Sequence, residues 1–210
     1  MDYRRRIIDD ILDELFPHLA AVALEGAKGV GKTATASQRA ATVFSLNRPE
    51  QQETLLADLD LITQTPKPVL IDEWQLVPAV WDRVRTAVDD DSTGGSYLLA
   101  GSAGVRPGVR LHSGAGRIVS IPMRPMALSE RGLQQPSVSL RELLSGTRPS
   151  INGHSEVGLA AYADEILRSG FPGIRDLPES ARQVQIDSYI SRSLVRARPD
   201  AGAAAPPPSS

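Results

Sequence analysis

Between Asp2 and Leu19 the apolar residues Ile7, Ile8, Ile11, Leu12, Leu15 and Phe16 recur at helical spacing, with Arg, Asp and Glu filling the other side. That pattern predicts an amphipathic helix, stopped at Pro17 or soon after, that covers a sheet. The period then changes. Ala20–Glu25 is a short apolar run with β-branched content and reads as a strand, followed past a glycine-rich loop by the Ala-rich T-A-T-A-S-Q-R-A-A of a helix. Thr42–Leu46 reads as a second, buried strand, and Leu55, Leu56, Leu59 and Ile62 give Glu50–Gln64 the spacing of one helix. Val69–Gln75 runs from an apolar strand into two acids, Val77, Val80, Val84 and Val88 suggest a helix, and Tyr97–Ala103 and Ile118–Ile121 are further strands. Alternating short strands and helices of this kind predict an α/β protein.

The loop between the first strand and its helix is G-A-K-G-V-G-K-T, Gly26–Thr33, a complete G-x-x-x-x-G-K-[ST] pattern. A triphosphate needs backbone N–H groups on all sides, and Gly26, Gly29 and Gly31 permit the turns and close approach that side chains would block. The candidate phosphate-binding residues are therefore Gly26, Ala27, Lys28, Gly29, Val30, Gly31, Lys32, Thr33 and Ala34. Lys32 would reach the β and γ phosphates as a point charge, and Thr33 would place a hydroxyl beside Mg²⁺. The helix opening there adds its positive end to the anion site.

About 40 residues after that lysine comes V-L-I-D-E-W-Q, a hydrophobic strand ending in Asp72 and Glu73. This spacing matches a Walker B element, in which Asp72 orders the Mg²⁺ shell and Glu73 polarises the attacking water. Trp74 and Trp81 read as packing residues rather than base-stacking ones. Ser102, at the end of L-L-A-G-S-A, falls where a polar sensor of the γ phosphate or an ordinary strand end would both fit.

Composition narrows the rest. The chain has 210 residues, 41% hydrophobic and 23% charged, enough for one α/β core and a small appendage. A net charge of −2 provides no global basic field for nucleic acid or anionic membrane. The absence of cysteine excludes disulfides, thiolate catalysis and cysteine-ligated zinc, and His18, His112 and His154 are too scattered to suggest a metal site. Acids interrupt the apolar run behind Arg4–Arg6, and no stretch reaches ~20 apolar residues, so a soluble cytoplasmic protein without a membrane segment is expected.

Taken together, G-A-K-G-V-G-K-T, L-I-D-E-W-Q, L-L-A-G-S-A, S-G-A-G-R-I and M-R-P-M-A-L-S-E resemble the bacterial AAA-type ATP-binding proteins whose chains continue into a C-terminal domain of unknown function. The resemblance covers Ala20–Glu130, with a weaker echo in R-S-G-F-P-G, Arg168–Gly173. It implies a P-loop NTPase three-layer α/β sandwich with a five-stranded parallel sheet in the order 5-1-4-3-2. It further implies ATP as the nucleotide, Ser102 as sensor, and Arg117 as a candidate arginine on the phosphates of its own or a neighbouring chain.

Residues 1–128 are expected to form this core and 129–196 a small helical, lid-like part, with helices at Val157–Leu167 and Glu179–Val195, a turn at Gly170–Gly173, and helical pieces flanking Pro136. Residues 197–210 end in A-G-A-A-A-P-P-P-S-S and read as a disordered tail, which departs from the family and suggests a chain cut short. The expected function is ATP binding with Mg²⁺-dependent hydrolysis. The alternatives are a nucleotide-binding switch or interaction module without significant hydrolysis, and a poorly folding remnant. A homo-oligomer is a possible assembly, and ATP itself the small-molecule partner.

Overall fold

A computed structural model describes residues 3–102, 113–133, 138–152 and 155–197, with 193–197 described by backbone alone. In chain order the elements are α1 (Ile7–Leu15), β1 (Ala21–Glu25), α2 (Lys32–Ser37), β2 (Thr42–Ser45), α3 (Pro49–Ala57), α4 (Leu61–Gln64), β3 (Val69–Asp72), α5 (Ala79–Asp90), β4 (Tyr97–Gly101) and β5 (Ile118–Pro122). After them come α6 (Leu140–Leu144), α7 (Leu159–Arg168), α8 (Pro172–Arg175) and α9 (Glu179–Ala197).

The strands form one parallel sheet in the order β2-β3-β4-β1-β5, which is the expected 5-1-4-3-2 order read from the other edge. Alternation along each strand sends side chains to opposite faces. Ala21, Ala23, Val69, Ile71, Tyr97 and Leu99 pack on one face against Leu55, Ile62, Val80, Val84 and Val88 of α3, α4 and α5. Val22, Leu24, Leu70, Leu98 and Ala100 pack on the other against Ile8, Leu12 and Phe16 at α1, and Val30 and Ala36 at the loop and α2. Each fully buried leucine or isoleucine in these layers contributes about 1.5–3 kcal/mol. The aligned register pairs Glu25 with Gly101 and Ser45 with Asp72, so the loop after β1, the acids closing β3 and Ser102 after β4 emerge along one edge of the sheet.

Four local expectations are corrected. In α1 the buried stripe is only Ile8, Leu12 and Phe16, while Ile7, Ile11 and Leu15 are exposed. Asp9 and Arg6, assigned by pattern to the solvent side, are instead buried, because each finds partners that satisfy its charge. Among the described residues strand β2 is bonded to β3 alone, an edge position that leaves Val43 exposed rather than enclosed. The single helix over Glu50–Gln64 is broken at Asp58, whose extended backbone separates α3 from α4.

The helices expected at Val157–Leu167 and Glu179–Val195 form as α7 and α9, and the turn at Gly170–Gly173 runs into the short α8. Phe171, just before α8, packs against the core layer shared by α1 and Val30. Its ring meets Tyr189 of α9 with centroids 4.9 Å apart. Glu165 of α7 is buried and bonds Arg131 and Arg175, which ties these helices to the segment after β5. Pro136, His112, His154, most of the Gly104–Gly116 segment and the tail from Arg198 lie outside the described residues.

Candidate functional site

The loop begins where β1 ends. A Cβ at Gly26 would lie 2.2 Å from the Met123 carbonyl oxygen, so only glycine fits where the chain beyond β5 crosses the end of β1. Gly29 and Gly31 have φ of 86° and 104°, the left-handed region that glycine adopts without strain. Val30 between them is buried and plugs the loop into the core, while Ala27, Lys28 and Gly29 form its exposed crest. Thr33 and Ala34 lie exposed on the first turn of α2, a helix of only six residues.

Lys32 turns back under the crest. Its Nζ donates to the carbonyls of Gly26 at 2.8 Å and Ala27 at 2.9 Å. Burial lowers the pKa of this ammonium, against the opposing pull of the Glu73 and Asp72 carboxylates. The Thr33 hydroxyl donates to Asp72 Oδ1 at 2.7 Å, joining α2 to the end of β3. Asp72 is only 6% exposed, and burial raises its pKa; Glu73 pushes the same way, and the Thr33 hydrogen bond opposes. An ammonium, a hydroxyl and two carboxylates thus share one edge of the sheet. Such a cluster suits a polyanion bound together with a divalent cation.

Glu73 follows in a left-handed backbone conformation, φ 55° and ψ 41°, which costs a non-glycine residue about 1–2 kcal/mol. The turn is held because Trp74 is buried against Trp81, ring centroids 4.8 Å apart. Both tryptophans are packing residues. Gln75 Nε2 donates to Glu73 Oε2 and to Ser102 Oγ, the latter at 3.3 Å. Ser102 therefore stands at the site, joined to Glu73 through a side chain to which no role was assigned from sequence.

Arg117 does not. It immediately precedes β5, whose first residue pairs with Ala21 at the start of β1, so it lies at the opposite edge of the sheet from the loop. A five-residue strand separates the two edges, about 16 Å. There its Nε donates to Asp89 Oδ1 at 2.6 Å, and a contact with phosphates in the same chain is excluded by the topology.

Two cavities flank the loop. One of 610 Å³ lies beside α2, bounded by Tyr3, Arg6, Gly31, Thr35, Gln38 and Pro172. The other, of 440 Å³, separates the crest at Lys28 and Gly29 from Tyr189 and Arg192 of α9. Arg6 supports the first from behind, donating from Nη1 to the Val30 carbonyl at 2.9 Å and from Nη2 to that of Arg124 at 2.9 Å. Its counter-charge is Glu130, 3.0 Å from Nε, and both side chains are almost fully buried. Neither Arg6 nor Gln75 was singled out from the sequence. The only hint for Gln75 was its position two residues beyond the acidic pair, and nothing local marked Arg6.

A parallel sheet in this order, with a glycine-flanked loop after β1 and acids after β3, is the fold of a P-loop NTPase-like protein. Within that class, the AAA domain family matches residues 19–131, more than half of the chain, and the chain belongs to that family. At the family level it is a nucleotide-binding, AAA-like ATPase. No curated protein gives a significant match. Among the described residues, no helix is long and apolar enough to cross a membrane.

Proposed function

We propose that this chain binds ATP with Mg²⁺ at the Gly26–Ala34 loop and hydrolyses it. The observation that carries the proposal is the convergence of Lys32, Thr33, Asp72 and Glu73 on one sheet edge, with the Thr33–Asp72 hydrogen bond joining loop helix and acidic strand. The donor set fits a triphosphate bound with Mg²⁺. Lys32 satisfies its ammonium on loop carbonyls, and the burial of Lys32 and Asp72 disfavours their charged forms, a cost that an oppositely charged metal–triphosphate offsets.

In this reading the loop amides of Gly26–Ala34 and Lys32 hold the phosphates, while Thr33 and Asp72 hold Mg²⁺. Bound Mg²⁺ would neutralise charge on the β and γ phosphates. Glu73 orients the attacking water and takes up its proton, and the Ser102 hydroxyl donates a hydrogen bond to the phosphoryl group. The 610 Å³ cavity beside Gly31 and Thr35 receives the base and ribose. Residues 1–128 then serve as the ATPase core and 129–196 as a lid-like part, since Phe171 and α9 lie beside the loop crest. An arginine contact from Arg117 requires a second copy of the chain. The cytoplasm, where ATP and Mg²⁺ are plentiful, fits this chemistry.

The test is a thermal melt with and without Mg²⁺ and ATP, beside Lys32→Ala and Glu73→Gln. At a hundred times its dissociation constant a ligand adds about 2.7 kcal/mol, which for a chain of this size raises Tm by roughly 5–10 °C. Lys32→Ala should abolish the shift, and Glu73→Gln should keep the shift and lose turnover. A cooperatively melting wild type that shows no shift removes the proposal. A shift with turnover no faster than Glu73→Gln leaves a nucleotide-binding switch.

A further inference from the structure

Gln75 sits in the short 3₁₀ turn Trp74–Leu76 that follows the acidic pair, on the same edge of the sheet as the loop. A side-chain amide nitrogen carries two hydrogens. Here one is directed at the Glu73 carboxylate and the other at the Ser102 hydroxyl oxygen. Turned the other way, the amide would set its oxygen against the Glu73 carboxylate, which would then receive no proton from it.

The rest of the side chain is arranged to hold this orientation at a cost. Gln75 Oε1 is buried and has no hydrogen-bond partner among the described residues. It rests on Gly101, the last residue of β4, where an added Cβ would approach it to 2.3 Å. A glutamine free to choose would rotate that oxygen toward water. The oxygen stays buried because both hydrogens of the amide are engaged on Glu73 and Ser102. Ser102, accepting from Gln75, keeps its own proton available for another acceptor.

Resting on the proposed ATP hydrolysis, we infer that Gln75 is a positioning residue that fixes Glu73 and Ser102 in a common frame through the two hydrogens of one amide nitrogen. The base of β3 and the sensor of β4 are thereby aimed at the same phosphoryl group. Gln75 acts through Glu73 and Ser102, the two side chains its amide nitrogen bonds. Its removal leaves the phosphate loop intact and misaligns two groups that act only during turnover, so the loss belongs in kcat rather than in binding.

Gln75→Met keeps the length of the side chain and removes both hydrogens, and Gln75→Glu keeps its shape but offers only acceptors. Both should retain the Mg²⁺–ATP melting shift of the wild type, with KM changed less than threefold and kcat reduced tenfold or more. Adding Ser102→Ala to Gln75→Met should cost no more than a further factor of two, because the serine is already unaligned. An unchanged kcat, a parallel loss of ATP affinity, or losses that multiply in the double variant would overturn the inference. If the wild type proves to bind ATP without turnover, the hydrolysis reading fails on its own. The bridge is then read from ligand-free melts, where Gln75→Met and Ser102→Ala shifts that simply add show that it is not made. A double variant melting no lower than the worse single variant shows that it is.

Discussion

The buried pair of Arg6 and Glu130 offers a direct test of how the N-terminal segment supports the phosphate loop. Glu130 accepts from Arg6 Nε at 3.0 Å, Arg6 Nη2 at 3.3 Å, Ile7 N at 2.7 Å and Ala127 N at 2.6 Å. Glu130→Gln leaves one acceptor oxygen in place of two. Its NH₂ group then faces either the donors from Arg6 Nε and Ile7 or those from Arg6 Nη2 and Ala127. A guanidinium whose side chain is 5% exposed also loses its counter-charge. Breaking one side of such a pair costs about 3–5 kcal/mol. For a chain of this size that lowers Tm by roughly 6–20 °C at pH 7, read by circular dichroism.

The pH dependence has a definite sign. Burial pushes the Glu130 carboxyl up, but the Arg6 guanidinium and the Ile7 and Ala127 amides outweigh it and hold the native value below the ordinary glutamate range. A carboxyl depressed on folding stabilises fully above its unfolded value, about 4.3, and loses that contribution as the pH falls through the lower native value. The gap between wild type and Glu130→Gln should therefore be full at pH 6 and close on acidification below about 4. The double variant Arg6→Met/Glu130→Gln should lose about 1–3 kcal/mol less than the two single losses combined. A Glu130→Gln chain melting within 2 °C of wild type at pH 7 would refute the reasoning, since about 3 kcal/mol cannot hide in so small a shift.

Two further outcomes follow from the site. Asp72 is 6% exposed and its side-chain partner is Thr33, so Asp72→Asn removes a buried charge while keeping an acceptor for that hydroxyl. Without ligand it should melt about 2–4 °C higher, the equivalent of about 1 kcal/mol, and it should lose the extra stabilisation by Mg²⁺ with ATP; a lower ligand-free Tm would count against it. Gly26→Ala drives a Cβ to within 2.2 Å of the Met123 carbonyl, which also adjoins the hydrogen bond from Met123 N to the Glu25 carbonyl. It should cost about 1–3 kcal/mol and weaken ATP binding together, and a melt and titration both matching wild type would show that the crossing relaxes freely.

Much of the fold was legible because its signals are local. The loop Gly26–Thr33 needs glycine where φ is positive at Gly29 and Gly31, and the apolar strands announce themselves as short runs ended by Glu25, Asp72 and Ser102. Their order in the sheet came from resemblance rather than from periodicity, and the structure has the same order. What the sequence left open depends on residues far apart in the chain. Arg6 and Asp9 look like a solvated charged face of a helix, yet Glu130 lies 124 residues from Arg6 and Arg39 lies 30 from Asp9, and only tertiary packing brings them together. Val43 looked buried because a short apolar run does not reveal whether its strand is central or at an edge. Arg117 looked able to reach phosphates because a linear motif carries no information about which end of a parallel strand it occupies. Gln75 gained its role only when the ends of β3 and β4 came side by side, placing Ser102 within reach of an amide 27 residues earlier. The sequence by itself determined the residues of the loop and the acidic strand, since backbone conformation and hydrophobic period are written residue by residue. The tertiary structure decided which charges are buried, which strand is exposed and which side chains meet, because those depend on contacts that no local window contains.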